Sequence, residues 1–341
     1  MERIKLYEEF ILEKSNKDYL KKINFLMGGK DISDITGTNS SIYGDLTKNC
    51  IEELYNEFYA KQNYKKDLEV NSKLPFIYYA GSSGLDFLDT YDILEDVMYN
   101  TPEAMKVSSN KTDFYKMFQD SDFIPKAVYK KEDAKDLEFP VIAKPDSGHS
   151  GMGIEIFDTY EDLEKSKGDF ANYSEAKDLD TEFRVMLVKD SVLLVHERVS
   201  ANENEIKDKE SDAKTEFTYV DQDMSKLDFM DKINDICKEI REELKLGLWS
   251  IDLMVDKSGD CWVAEINSAS GMAADKLVRV YVAIYEDFYG EELPIEFKTY
   301  LNEEYIRPVY KINLRENGDQ IKRSKCRVDY QNIIDGKDKI L

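Results

Sequence analysis

The stretch LWSIDLMVDKSGDCWVAEINSASG, residues 248–271, constrains the fold more than any other part of the chain. Two runs rich in β-formers, LWSIDLMV and CWVAEI, flank KSGD, a Ser/Gly/Asp turn signal. The pattern predicts a β-hairpin with a four-residue loop. With the loop at Lys257 to Asp260, Asp256 pairs with Cys261, Met254 with Val263 and Asp252 with Glu265. Side chains alternate along a strand, so Asp252, Glu265 and Asn267 project from one face. Like charges directly opposite each other destabilise a sheet. Either the two carboxylates splay into water, or something between them compensates their charge.

The rest of the chain bounds the choice. With 341 residues and 42% hydrophobic content it can bury a sizeable core, divided into two or three subdomains. No run approaches the roughly 18 consecutive apolar residues of a membrane span. The opening MERIKLYEEF lacks the apolar core of a signal peptide. A cytoplasmic protein with no membrane partner is expected. Cys50, Cys237, Cys261 and Cys326 lie far apart without a CxxC pair, so neither a zinc site nor a disulfide framework is indicated. A formal net charge of −23 opposes broad nucleic-acid binding.

Four parts are expected. Residues 1–105 form an N-terminal α/β domain, with a helical pattern in NCIEELYNEFYA and strands in INFLMGG and LPFIYYAGSSG. The turn at Gly81 and Gly84 is an ordinary turn or an anion cradle at the following helix. In residues 106–172, SNKTDFYKMFQ predicts a helix with Phe114, Met117 and Phe118 at helical spacing, followed by the strand FPVIAK. Residues 173–290 hold the hairpin EFRVMLVKDSVLLVHERV, a polar stretch, a helix and the hairpin of the first paragraph. The helix carries an apolar stripe of Leu227, Met230, Ile233, Cys237, Ile240 and Leu244, and Gly247 is expected to stop it. The polar stretch at 200–216 cannot bury itself and is a solvated loop or a lid. Residues 291–341 read as strand and coil wrapping back onto the body.

The second informative stretch is FPVIAKPDSGHSGMGIEIF, residues 139–157. Three glycines and two serines in DSGHSGMG let backbone N–H groups approach an anion. The spacing is not GxxxxGK[ST], so it is no Walker A loop. The following IEIF alternates like a strand, which makes the segment a hairpin flap with Lys144 rising from the strand beneath. A mobile hairpin tip without a ligand is the alternative.

In chain order stand a helix lysine (Lys111), a strand lysine (Lys144), a glycine flap, an acidic segment, an arginine-bearing hairpin and D…ExN. This order resembles the ATP-grasp superfamily, most closely its RimK-like and glutathione-synthetase-like carboxylate–amine ligases, over about residues 105–290. The resemblance implies an α/β (α+β) class: two α+β lobes clasping ATP, residues 106–172 with the flap and 173–290 with the metal site. Residues 1–105 and the extension 291–341 lie outside it. It also implies that Lys111 and Lys144 reach the nucleotide phosphates, and that Ser147, Gly148, His149, Ser150, Gly151, Met152 and Gly153 close over them. Tyr173, Ser174, Glu175 and Ala176 fall where backbone groups read the adenine edge. Glu182, or Asp180, falls where a carboxylate holds the ribose. The family's connection there is usually a little longer, so the ribose residue stays open within 175–182. Arg184 and Arg198 match arginines facing phosphate and the reacting carboxylate, and Asp252, Glu265 and Asn267 match ligands of Mg²⁺ (or Mn²⁺).

A magnesium ion takes oxygen ligands and is commonly held by one or two carboxylates plus substrate phosphates. Such a cation would turn the repulsion of Asp252 and Glu265 into shared coordination. The implied reaction transfers the ATP γ-phosphoryl to a carboxylate; an amine attacks the acyl phosphate, and ADP and phosphate are released. The implied partners are an amino acid, peptide or other carboxylate and an amine acceptor. Two other readings stay open: a catalytically reduced ATP-binding protein, and an ATP-grasp small-molecule kinase. The kinase would call for a cluster of Lys and Arg that the sequence does not display. His149 and His196 are the only histidines, and no Ser-His-Asp arrangement is supported. Acid, amine and oligomeric state are left open.

Overall fold

The computed structural model describes residues 22–27, 58–63, 73–79, 97–146, 153–200, 217–272 and 274–341. Its strands form three sheets. The first contains β1 (Ile23–Met27), β2 (Tyr59–Asn63) and β3 (Phe76–Tyr79), parallel and in the order β2-β1-β3. Parallel pairing needs crossover connections, which is the expected α/β character of this part. Tyr59 and Ala60, assigned above to a helical pattern, are strand instead: they pair with Ile23 and Asn24, and the Tyr59 ring packs edge-on against Phe25 at 5.5 Å. Residues 49–57, Gly81 and Gly84 lie outside the described residues.

The second sheet is antiparallel, β4 (Ala127–Val128), β5 (Val141–Lys144), β6 (Glu155–Phe157) and β7 (Asn172–Glu175), ordered β4-β7-β5-β6. Pairing of Ala143 with Glu155 makes β5 and β6 the arms of the hairpin expected around the glycine loop. The third sheet has five antiparallel strands: β8 (Leu179–Val188), β9 (Ser191–Ser200), β10 (Phe217–Asp221), β11 (Leu248–Asp256) and β12 (Cys261–Asn267). Their order is β10-β9-β8-β11-β12.

The helices are α1 (Pro102–Ser108), α2 (Lys111–Met117), α3 (Tyr160–Lys165), α4 (Met230–Leu244), α5 (Ala274–Tyr289), α6 (Ile295–Leu301), α7 (Arg307–Arg323) and α8 (Tyr330–Ile334). The Asn110 side chain caps α2 by accepting from the Asp113 N–H at 2.9 Å, which sets where Lys111 leaves the chain. Phe114 and Phe118 are buried as expected, but Met117 is 46% exposed and Tyr115 takes its inward place. Helix α4 buries Ile233, Ile236, Cys237, Ile240 and Leu244 against Phe183, Val185, Leu187, Ile251 and Leu253 of the third sheet. Elsewhere Met186, Leu194 and Val220 join Val278 and Tyr281 of α5, Tyr310 of α7 and Tyr330 of α8. The last 51 residues are therefore largely helical, not strand and coil; their tyrosines and aliphatics follow a helical spacing that packs on α5 and β9–β10. No helix among the described residues is long and apolar enough to cross a membrane.

Helix α4 ends at Lys245, which adopts the left-handed conformation (φ 51°), rather than at Gly247. Gly247 serves a close approach: a Cβ there would lie 2.1 Å from the Tyr99 carbonyl oxygen. Beside it the fully buried Asn100 accepts from the Gly247 and Leu248 N–H groups at 3.1 and 3.0 Å. Its amide donates to the Leu248 and Ser268 carbonyls at 2.7 and 3.1 Å. One side chain thus ties the start of α1 to both strands of the β11–β12 hairpin.

That hairpin pairs Val255 with Cys261, Met254 with Trp262 and Leu253 with Val263, one residue away from the expected register. A β-bulge between Asp252 and Leu253 then restores it, so Asp252 does face Glu265. The turn sets the offset: the Asp256 carboxylate accepts from the N–H groups of Ser258 and Asp260 at 2.9 and 3.0 Å and from the Trp262 indole at 3.1 Å. Burial works against its ionisation, but these donors outweigh it and hold Asp256 down at about 2. An Asp256→Ala protein should lose roughly 1–2 kcal/mol of stability, the loss of a small hydrogen-bond set. Because the folded-state value is depressed, this contribution is present above the ordinary aspartate range and disappears as pH falls towards about 2. Denaturant titrations of both proteins at neutral and strongly acidic pH check this, with the gap between them expected to close in acid.

Candidate active site

One row of side chains crosses all five strands of the third sheet. Asp221 pairs with His196, His196 with Arg184, Arg184 with Asp252, and Asp252 with Glu265. Each carboxylate of the row meets a basic group. Arg184 grips Asp252 through Nε and Nη2, both at 2.7 Å, a bidentate fork on a carboxylate. Lys111, at the start of α2, meets Glu265 at 2.9 Å. At the other end His196 Nε2 bonds Asp221, and Arg279 of α5 reaches the second Asp221 oxygen at 2.9 Å. One row over, Arg198 binds both Glu182 oxygens at 3.1 and 2.9 Å and stands 4.1 Å from the Phe217 ring centre.

Two carboxylates in register cannot both ionise freely. Burial, reinforced by Glu265, holds Asp252 above the ordinary carboxylate value despite Arg184. Burial pushes Glu265 the same way, but Lys111 and Asn267 outweigh it and hold that carboxyl below its ordinary value. Asn267 donates its amide to Glu265 at 3.3 Å, and among the described residues its carbonyl oxygen accepts nothing. Burial raises Glu182, with Arg198 opposing. Burial also lowers His196, so the ring is neutral and donates to Asp221.

The structure brings Lys111, Glu182, Arg184, Arg198, Asp252, Glu265 and Asn267 to this sheet face. Lys144 is reached through Tyr115: its ammonium donates to the Tyr115 hydroxyl at 2.9 Å, and that hydroxyl donates to the Val263 carbonyl at 3.4 Å. Tyr173 is buried in the small-lobe core with Phe157 and Leu163. The N–H groups of Glu175 and Ala176 are already donated, to Lys126 at 3.0 Å and Pro140 at 2.9 Å. Ser147, Gly148, His149, Ser150, Gly151 and Met152 lie outside the described residues, as do residues 201–216. Gly153 takes φ +76°, a conformation that side-chain-bearing residues rarely adopt.

Several members of the site were not anticipated: Tyr115, Tyr219, Asp221, Asp275, Lys276 and Arg279. The alternation in FTYVD signals β10, which places Tyr219 opposite Arg198 and Asp221 opposite His196. His196, Asp221 and Asp275 stand close enough to share a cation, but Arg279 already supplies positive charge to Asp221. The Lys/Arg cluster that the sequence did not display does form here, though Lys111, Arg184, Arg198 and Arg279 each sit on a carboxylate.

The sequence matches the family described as "D-ala D-ala ligase C-terminus" over residues 107–283. The chain belongs to that family. Its fold is the ATP-grasp fold, and similar solved structures include D-alanine–D-alanine ligase from Bacillus anthracis (TM-score 0.51, 14% identity, 78% of this chain and 97% of that one). Another is D-alanyl-alanine synthetase A from Vibrio cholerae O1 biovar eltor (TM-score 0.51, 15% identity, 80% and 95%). A third is N5-carboxyaminoimidazole synthetase from Staphylococcus aureus complexed with ADP (TM-score 0.52, 10% identity, 81% and 80%). No curated protein matches the sequence. The matched span opens just before α2 and closes within α5, so it contains every charged residue of the row in this ATP-grasp ligase.

Breaking a buried ion pair by removing one partner leaves an uncompensated charge. An Arg184→Gln protein should lose roughly 3 kcal/mol in metal-free buffer at neutral pH. Asp252 would then bind a proton more readily folded than unfolded, so the loss should shrink as pH falls and grow as it rises. Thermal unfolding of both proteins at neutral and mildly acidic pH tests the row, and an equal gap at both values contradicts it.

Proposed function

We propose that this protein is an ATP-dependent carboxylate–amine ligase that forms an amide through an acyl phosphate and releases ADP and phosphate. The observation that carries the reading is the in-register pair Asp252 and Glu265, flanked by Asn267 and bounded by Arg184 and Lys111. Family membership supports it, because the named relatives include ligases of amino acids.

The donor set fits a hard divalent cation. Two carboxylates face each other, one held ionised, beside an amide oxygen with no internal donor. Asp252, Glu265 and Asn267 would hold Mg²⁺ or Mn²⁺, which supplies charge neutralisation on the phosphates. The chain's own groups do the rest. Lys144, oriented by Tyr115, and Lys111 neutralise the phosphate oxygens. The glycine-rich hairpin, residues 147–153, closes over them and excludes water. Glu182 or a neighbour in 175–182 holds the ribose, and residues 173–176 border the base. Arg184 positions the carboxylate that receives the phosphoryl group, while Arg198 stabilises the oxyanion formed when the amine attacks. The bond to the amine nitrogen forms as the acyl–phosphate bond breaks, and phosphate leaves with that electron pair. The acid is an amino acid, peptide or other carboxylate, and the work takes place in the cytoplasm.

ADP release measured against a panel of amino acids and short peptides, with hydroxylamine present to trap acyl phosphate, tests the reading. ADP with a hydroxamate product is expected; AMP, or a stable phosphorylated product formed without any amine, contradicts it. Glu265→Gln should abolish turnover and weaken Mg²⁺-dependent ATP binding, read by calorimetry, while the fold stays intact. Arg198→Ala should bind nucleotide nearly as well as the parent yet form product on the order of 10²–10³ times more slowly, the loss of one oxyanion donor.

A further inference from the structure

A cavity of about 260 Å³ lies between β9, the end of β10, α5 and the C-terminal segment. None of Lys111, Arg184, Arg198, Asp252, Glu265 or Asn267 lines it. Leu194, Val195, Asp221 and Arg279 line it as buried residues, Ser225 and Lys339 as exposed ones, so it is a crevice entered from the surface. The C-terminal segment builds the remaining wall. The Val328 N–H donates to the Asp221 carbonyl at 3.0 Å, the Asp223 N–H to the Cys326 carbonyl at 2.6 Å, and the Ile340 N–H to the Asn302 side-chain oxygen at 2.9 Å. Val328, Lys339 and Ile340 all lie beyond the family-matched span, residues 107–283, so that span alone does not make this cavity.

Charge in the lining does not balance. Asp223 is met by Lys226 at 2.8 Å and Asp221 by Arg279 at 2.9 Å. Lys339 donates to the Thr299 hydroxyl at 2.7 Å and meets no carboxylate among the described residues. One positive charge is left over. Arg279 also has donors to spare. It is 9% exposed and uses Nη2 for Asp221 and Tyr310, at 2.9 and 2.8 Å. Its buried Nε has no partner, and Nη1 donates to nothing among the described residues. A buried donor left unmade is costly, and a guanidinium presents its donors in a fork that matches a carboxylate.

We propose that this cavity binds a small branched aliphatic monocarboxylate, held by Arg279 and Lys339 at its charged end and by Leu193, Leu194, Val328 and Ile340 along its alkyl body. One surplus positive charge takes one negative charge, whereas a phosphate dianion would face Asp221 and Asp223 with charge left over. The apolar side chains reward a hydrocarbon body by removing it from water. The space falls below the roughly 300 Å³ at which pockets for drug-sized ligands begin, which restricts the guest to a few carbons. This site is independent of the ligase reading, since it uses none of the groups assigned there to nucleotide, metal or reacting acid.

Isovalerate serves as the probe, its binding to the full chain read by ligand-detected NMR without Mg²⁺ or nucleotide. It should saturate one site with a Kd on the order of 1 mM, within reach of a ligand of that size. Isovaleramide, of the same shape but uncharged, and inorganic phosphate should each bind at least about tenfold more weakly. Lys339→Gln, a surface change that spares the fold, should weaken isovalerate about tenfold. Val328→Phe, which fills the cavity, should remove binding, as should Arg279→Gln. If Arg279→Gln does not fold, because Asp221 has lost its partner, Lys339→Gln and Val328→Phe carry the test. Lys276→Gln, outside the lining, should leave the affinity unchanged. No saturable binding by the parent, or equal binding of isovaleramide or phosphate, overturns the proposal. So does an affinity that survives both Lys339→Gln and Val328→Phe, or one that Lys276→Gln abolishes.

Discussion

The pairing of Arg184 with Asp252 is the interaction on which the rest of the site depends. A buried sheet face is a costly place for a carboxylate, and here two stand in register across β11 and the edge strand β12. The sheet tolerates them because each has a cation reaching in from another element: Arg184 from β8 and Lys111 from the first turn of α2. The same logic extends outward through His196 and Asp221 to Arg279 on α5. The result is a network in which each carboxylate meets a basic group, its members drawn from five strands and two helices. Removing any one exposes the next.

Because the row is distributed, the packing that fixes it is distributed too. Helix α4 covers one sheet face with aliphatic side chains. On the other side α5 and the C-terminal helices bring Arg279, Tyr310 and Tyr330 to Asp221: Tyr310 binds Arg279 at 2.8 Å, and the Tyr330 hydroxyl accepts from the Asp221 N–H at 3.2 Å. Asn100 locks the far end of the β11–β12 hairpin to α1, and through the short connection to α2 that contact helps place Lys111. The small lobe joins at one point of similar character, where Lys144 meets Tyr115. Polar contacts of this kind position groups within tenths of an ångström, which charge neutralisation around a transferring phosphoryl group requires.

Much of this was legible in the residue order. The alternation of LWSIDLMV and CWVAEI was enough to place Asp252 opposite Glu265, although the pairs nearer the turn were displaced. Two errors cancelled there: the Asp256 turn offsets the strands by one residue, and the bulge beside Asp252 takes the offset back. Helix α2 was recognisable from its cap and its aromatics, yet Tyr115 was passed over because a phenol at that spacing has no signature separating it from core. The C-terminal segment was misjudged since its apolar residues are sparse and its helices are held by tyrosines on a neighbouring layer. Lys276 could not be singled out at all, being one charged residue among several on α5, with Asp275 and Arg279 beside it.

The sequence by itself determined the hairpins and helices of residues 106–290, the facing carboxylates and the order of lysines, glycine-rich stretch and arginines, because these follow from local periodicity and from chemistry carried along the chain. Only the tertiary structure decided which charge answers which. Arg184 and Asp252 are separated by 68 residues, and Lys111 and Glu265 by still more. Their partnership is settled by strand order and by the cap that starts α2. Electrostatic compensation acts through space over a few ångströms, and spatial proximity between distant segments is the quantity a linear pattern does not carry.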